Sequence, residues 1–313
     1  MDIIIVCHTE FGFVSGKDII FEKKATFGVT EGVLNLIKIA DRYGAKVSFA
    51  ACPEVVPHLP KNINHEIGLH IHPGWQESNV KGFKIFIGDK YLKENCKQSL
   101  NSVALRDFSF EEQFGMIKTG KEYVKEKLDR EPTFFVAGKL SENNDTIKAL
   151  IEAKITHDCS AASHCKDENF DWTGLPRISM PYNPSTGDYQ KEGDLPILIV
   201  PISQFFPRQS VNLELISQVG QSWLNASFLE YYNQDAPLFH IILHSPSMTN
   251  EYFILAMDNF LTFVSKYKNI NFRFVSEIKK YPDKKFKTNI FPYLRNLNME
   301  IIATGLKKCV GKR

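Results

Sequence analysis

The sequence predicts an α/β protein whose strands form a parallel sheet or barrel. Three observations lead there. Short apolar runs of strand length recur along the chain, beginning with Ile3-Ile4-Ile5-Val6-Cys7. Amphipathic stretches of helical period stand between them, which is the order of β-α-β units. The 313 residues suffice for one large α/β domain or two small ones, and no repeat, low-complexity tract or clear linker divides them.

Composition narrows the function classes. Hydrophobic residues make up 43% and charged residues 24%, an ordinary balance for a soluble globular chain, and 24 phenylalanines can furnish a sizeable core. A formal charge of +2 gives no strong case for nucleic acid or membrane as the main partner. The cysteines at 7, 52, 96, 159, 165 and 309 form no Cys-x-x-Cys pair, so neither a zinc ribbon nor a redox motif is indicated. The opening apolar run is too short for a signal peptide and carries Asp2. No stretch reaches the length of a transmembrane helix. A cytoplasmic protein with reduced thiols is therefore expected.

In chain order, a buried strand ends at His8-Thr9-Glu10, and a loop with Gly12 and Gly16 follows. Thr30 is placed to cap a helix with Val33, Leu36, Ile37 and Ala40 on its apolar face, which Gly44 ends. Residues 47–50 and 66–72 read as strands, and 74–108 as a long loop or lid. Residues 110–128 form an amphipathic helix, 133–136 a strand, 142–153 a helix and 155–158 a short strand. The Asp-, Pro- and Gly-rich stretch 162–194 reads as a second long surface excursion. Residues 195–201 and 238–244 are buried strands, 250–267 a helix, and 272–274 closes the set. The barrel is expected over 1–281, with a basic C-terminal extension over 282–313.

The stretch of most interest is Glu66-Ile67-Gly68-Leu69-His70-Ile71-His72-Pro73. Its period of two puts His70 and His72 on one face, and Pro73-Gly74 stops the strand. Two imidazoles there suit a divalent ion, zinc by preference, or simply close a strand above a loop. Other strand ends add weight. In barrels of alternating strands and helices the site gathers at the C-terminal strand ends. Glu10, His70 and His72 make a two-His, one-carboxylate set with an open position, and His8 and His244 remain for proton transfer or as satisfied core histidines.

The order of these motifs resembles the polysaccharide deacetylases, carbohydrate esterase family 4 with the NodB-homology fold. The likeness spans roughly residues 3–277. His65-Glu66-Ile67-Gly68-Leu69-His70-Ile71-His72-Pro73 is similar to the family's metal motif in a His-x-His-Pro variant. Residues 131–139 are similar to its third motif, Asp158-Cys159-Ser160 to an Asp-Ser-Ser turn, and Leu243-His244-Ser245-Pro246 to the late motif with the catalytic histidine. The resemblance implies an irregular (β/α)7-type, TIM-like barrel, a single domain with long loops over the C-terminal face of its strands. Its nearest cast is that of intracellular members tied to surface-polysaccharide and O-antigen synthesis.

Two positions depart from the family pattern. His8 stands where an aspartate base is usual, and Val136 where an arginine is usual, with Lys139 the nearby cation. What the resemblance implies is hydrolysis of the N-acetyl group of a saccharide, or of a nucleotide- or lipid-linked sugar. A divalent metal, zinc preferred, would sit on Glu10, His70 and His72. His244 would be the acid, and His8 either the base or a fourth ligand. Trp75, Lys139 and Asp158 are the expected substrate contacts, with Trp172 a weaker stacking candidate and Trp223 a core residue. The alternative is a degenerate relative that binds a glycan precursor or partner without hydrolysis.

Overall fold

The computed structural model describes residues 1–20, 26–73, 104–299 and 301–303. Trp75 and most of the expected lid at 74–108 lie outside the described residues. The described strands are β1 (Asp2–Thr9), β2 (Phe13–Ser15), β3 (Asp18–Ile20), β4 (Val47–Ala51), β5 (Glu66–Ile71), β6 (Phe134–Ala137), β7 (His157–Asp158), β8 (Leu198–Ile199), β9 (Gln204–Phe205), β10 (Gln209–Ser210), β11 (Leu238–His244) and β12 (Asn271–Phe272). Seven of them run parallel in the order β11-β1-β4-β5-β6-β7-β8, and β12 adds to β1. This is the curled parallel sheet of an irregular (β/α)7 barrel. The chain after β8 bridges the remaining gap. Val200 N donates to Asp158 O (2.7 Å), Ile202 N to Ala161 O (2.9 Å) and Ser203 N to His240 O on β11 (3.1 Å).

Strand alternation sorts the core into two parts. Ile3, Ile5 and Cys7 of β1, with Ile67, Leu69 and Ile71 of β5, belong to the large core beneath the helices. Ile4, Val6, Ala50, Phe134, Val136 and Ile242 form a second cluster that fills the inside of the curl. Gly68 faces that inside because the Phe134 ring occupies the place of a Cβ. His8, His70, His72 and His244 continue the inward-facing sets to the C-terminal ends of their strands.

The helices follow their sequence signals. Helix Phe110–Leu128 starts at Ser109 in a capping box with Glu112 and ends at Asp129, whose φ is 50°. Helix Asn144–Glu152 has the same device in Asn143 and Thr146. Helix Val33–Arg42 differs at its start. It continues directly from a π-helical turn Gly28–Gly32, so Thr30 lies inside a helix and its hydroxyl donates to Thr26 O rather than capping.

Two further expectations are corrected. The strand expected over 195–201 shrinks to Leu198–Ile199, because Pro196 and Pro201 have no N–H for a ladder. The stretch 162–194 is irregular and keeps exposed positions such as Lys166, Glu168 and Lys191, but buried side chains anchor it. Trp172 within it is 0% exposed and donates its indole N–H to Leu140 O (3.1 Å), so it packs the core and is no stacking platform. Trp223 is buried as expected, and Tyr293 from the chain beyond 282 packs against it. No helix among the described residues is long and apolar enough to cross a membrane.

Candidate metal centre and active site

The ends of three strands, β1, β5 and β11, converge on one point. Glu10, just past β1, is held by Ser245, which follows β11: Glu10 N donates to Ser245 Oγ (3.1 Å) and Ser245 Oγ donates back to Glu10 O (3.2 Å). His70 and His72 leave the end of β5 on its inward side. His70 Nε2 stands 2.9 Å from Glu10 Oε1, His72 Nε2 stands 3.1 Å from the same oxygen, and the two nitrogens are 3.0 Å apart. All three side chains are buried.

This triangle fits a cation. His70 Nδ1 lies 2.8 Å from Val136 O, and a carbonyl only accepts, so Nδ1 carries the hydrogen. In the uncharged form that a metal requires, His70 turns a lone pair toward a carboxylate oxygen 2.9 Å away, and two acceptors at that distance call for a cation between them. The three donor atoms, 2.9–3.1 Å from one another, are close enough to share a single ion at bond lengths of about 2.0–2.2 Å. Burial, opposed in part by Glu10, lowers the His72 pKa to about 4, so His72 is neutral and free to ligate near pH 7. Burial alone would raise the Glu10 pKa, but the His70 and His72 rings outweigh it and hold the carboxyl well below its usual range.

The two remaining histidines have opposite electrostatics. Burial and the neighbouring His70 and His244 rings hold His8 well below the usual histidine pKa. Its ring centroid is 4.8 Å from that of His70 and 4.9 Å from that of His244. For His244, burial works downward, but Glu214 and then Glu10 outweigh it and the pKa rises. Glu214 Oε2 is 3.5 Å from His244 Nδ1, and Glu214 Oε1 accepts from His244 N (2.8 Å) and from Ser247 Oγ. A neutral imidazole and a protonatable one therefore face each other at the mouth of a cavity of about 310 Å³. Glu10, His72, Lys139 and Glu214 also line it, with Ile19, Phe170 and Asn212 further out.

The fold is shared with solved polysaccharide deacetylases. A structure described as a polysaccharide deacetylase from Pseudomonas aeruginosa PAO1 is 13% identical, with a TM-score of 0.55 and coverage of 87% of each chain. One so described from Mycobacterium smegmatis is 15% identical, with a TM-score of 0.52 over 85% of each chain. The PuuE allantoinase is 12% identical, with a TM-score of 0.55 over 87% of this chain and 86% of that one. No family model and no curated protein matches the sequence.

Of the residues singled out in the sequence, Glu10, His70, His72, His8, His244 and Lys139 come together around the cavity. Lys139 adopts a φ of 56° there, and Gly138 before it is required: a Cβ would lie 2.5 Å from Ile71 O and 2.6 Å from the His72 ring. Asp158 does not join them. It is wholly buried, accepts from Ser160 Oγ (2.6 Å) and lines no part of the cavity, so the expected substrate contact gives way to a structural one. Trp75 lies outside the described residues.

Two neighbours were not read from the sequence. Glu214 sits on the turn Leu213–Leu215, where Asn212 Oδ1 accepts from Glu214 N (2.9 Å); the Asx-type start at Asn212 was its only signal. Cys52 follows β4, and one ligand atom each from Glu10, Cys52 and His70 lies within 4.8 Å of the other two. Burial, then Glu54 and Glu10, push its thiol up, so without an ion it is protonated.

Proposed function

We propose that the protein is a metal-dependent deacetylase that hydrolyses the N-acetyl group of a saccharide or sugar precursor, in surface-polysaccharide assembly. The observation that carries this reading is the Glu10, His70 and His72 triangle beside the His244–Glu214 pair, across one cavity. Glu10, His70 and His72 would hold a divalent ion, zinc by preference, whose positive charge would polarise an amide carbonyl and make water a better nucleophile. Glu10 contributes the single negative charge of the donor set. Val136 O fixes the tautomer and ring plane of His70.

The two histidines then divide the proton work. His8, kept neutral by burial, accepts a proton from the attacking water. His244, kept protonatable by Glu214, gives one to the amide nitrogen as the C–N bond breaks, leaving acetate and a free amine. Each transfer of this kind contributes about 10²–10⁴-fold. Lys139 lines the cavity wall, where it would meet polar groups of the sugar.

The test is metal analysis of the purified protein followed by amine release from a panel of N-acetylated sugars. Stoichiometric metal with release of amine supports the reading. A metal-loaded protein inert across the panel favours a binding protein without hydrolysis.

A further inference from the structure

The whole-chain charge of +2 hides an uneven distribution. From Lys279 to Met299 six Lys and Arg stand against only Asp283, whereas the preceding 278 residues hold 28 Lys and Arg against 34 Asp and Glu. Within the same stretch the surface is unusually apolar. Of the ten exposed large hydrophobic side chains among the described residues, six lie between 290 and 302: Ile290, Phe291, Leu294, Leu297, Met299 and Ile302. Phe291 is 68% exposed and Met299 74%.

The segment is fastened by its other side. Tyr293 is buried, donates its hydroxyl to Glu230 Oε2 (2.9 Å) and accepts from Phe206 N (3.1 Å). Ser222 Oγ donates to Asn296 O (3.1 Å), and Asn298 Nδ2 donates to Val219 O (3.0 Å). Polar groups thus tie the segment to the barrel while its large apolar side chains point away from it. Val219 ends the short helix that follows the Glu214 turn, so the far end of the segment lies at the same end of the barrel as the cavity.

We infer that this segment is a docking surface for an anionic phospholipid bilayer. Apolar side chains flanked by Lys and Arg are the pattern of interfacial binding, and each cation near such a surface adds about fivefold to affinity. A second copy of the chain is a poorer fit, because a two-fold contact would set one strongly basic face against another. The inference does not depend on the deacetylase reading, since its readout is binding.

The test is flotation of the whole chain with vesicles of phosphatidylcholine alone and of phosphatidylcholine containing phosphatidylglycerol. Binding is expected on the anionic vesicles only, and it should weaken as salt is raised. Phe291→Ser with Met299→Ser should lower it about tenfold or more, and Lys285→Gln with Lys287→Gln also by more than tenfold, with circular dichroism and Tm unchanged. Absence of the wild type from anionic vesicles overturns the inference, as does binding that neither pair of substitutions alters. Light scattering that shows a dimer converted to monomer by the apolar pair, without vesicle binding, would make the face a contact between copies and overturn it too.

Discussion

Glu214→Gln isolates one charge while keeping the shape of the site. In the structure Glu214 Oε2 lies 3.5 Å from His244 Nδ1, and the two side chains are 13% and 22% exposed. Unit charges at that distance attract by about 1.2 kcal/mol in water and about 4.7 kcal/mol at an effective dielectric of 20. A partly hydrated cavity mouth belongs near the lower end, at about 1–2 kcal/mol. Because Glu214 raises the His244 pKa, its stabilising effect is present below the unfolded histidine pKa of about 6.5 and is lost as pH rises through the folded value. Imidazole donates only from its protonated form, so the alkaline limb of kcat/KM should move to lower pH in Glu214→Gln. Titration of the His244 ring by NMR should show the same displacement independently of turnover. A His244 midpoint that differs by less than about 0.3 unit between wild type and variant would refute the pairing.

Four more outcomes can be measured. His70→Ala and His72→Ala should each abolish stoichiometric metal by elemental analysis while the far-ultraviolet circular dichroism stays native; retention of metal by both would sink the triangle. His8→Asp should keep substantial activity and His8→Ala lose it; if His8→Ala also loses metal, His8 is a ligand rather than the base. Burial and Asp158 push the Glu142 pKa well up, and burial pushes Asp158 up to about 6, so the folded pair retains protons that the unfolded chain releases. Stability from that pair is complete below about pH 4 and is lost as pH rises through the folded values, so Glu142→Gln should raise Tm by about 2–5 °C at pH 8 and little at pH 5. Gly138→Ala should weaken metal binding about 10–100-fold in a chelator competition by displacing the His72 ring, and an unchanged affinity would remove that constraint.

The parts of the site that follow the strand period were legible in the sequence. His70 and His72 stand two apart at the end of β5, and His8 and His244 pair in register at the ends of β1 and β11. A two-residue period carries such positions directly to one side of a sheet. Glu214 was not legible because it rides on an isolated turn whose place beside β11 is set by tertiary contacts such as Ile242 N to Val211 O (3.0 Å). Cys52 was missed because a lone cysteine has no spacing to read. The 162–194 stretch was legible as irregular and partly exposed, but its buried anchors, Trp172 above all, were not, because composition does not report the burial of single side chains. Asn183 Nδ2 donates to Leu195 O and Ile197 O, and Gln190 Nε2 to Asp171 O, so side chains supply the pairing that a ladder would have given.

The position of β1 sets a schedule for assembly. It precedes the other strands of the sheet in chain order, yet it lies inside the sheet, with β4 on one side and β11 on the other and β12 added at its start. β4 emerges within some fifty residues, but the opposite edge must wait until residue 238 and beyond has been synthesised. Until then Ile3-Ile4-Ile5-Val6-Cys7 presents an unpaired, wholly apolar edge to whatever is near. Pairings of such long sequence separation slow folding and prolong the lifetime of sticky intermediates. The nascent chain should therefore need a holding chaperone through most of its synthesis, and a ribosome-bound fragment stalled before β11 should be far more protease-sensitive across β1 than the finished protein.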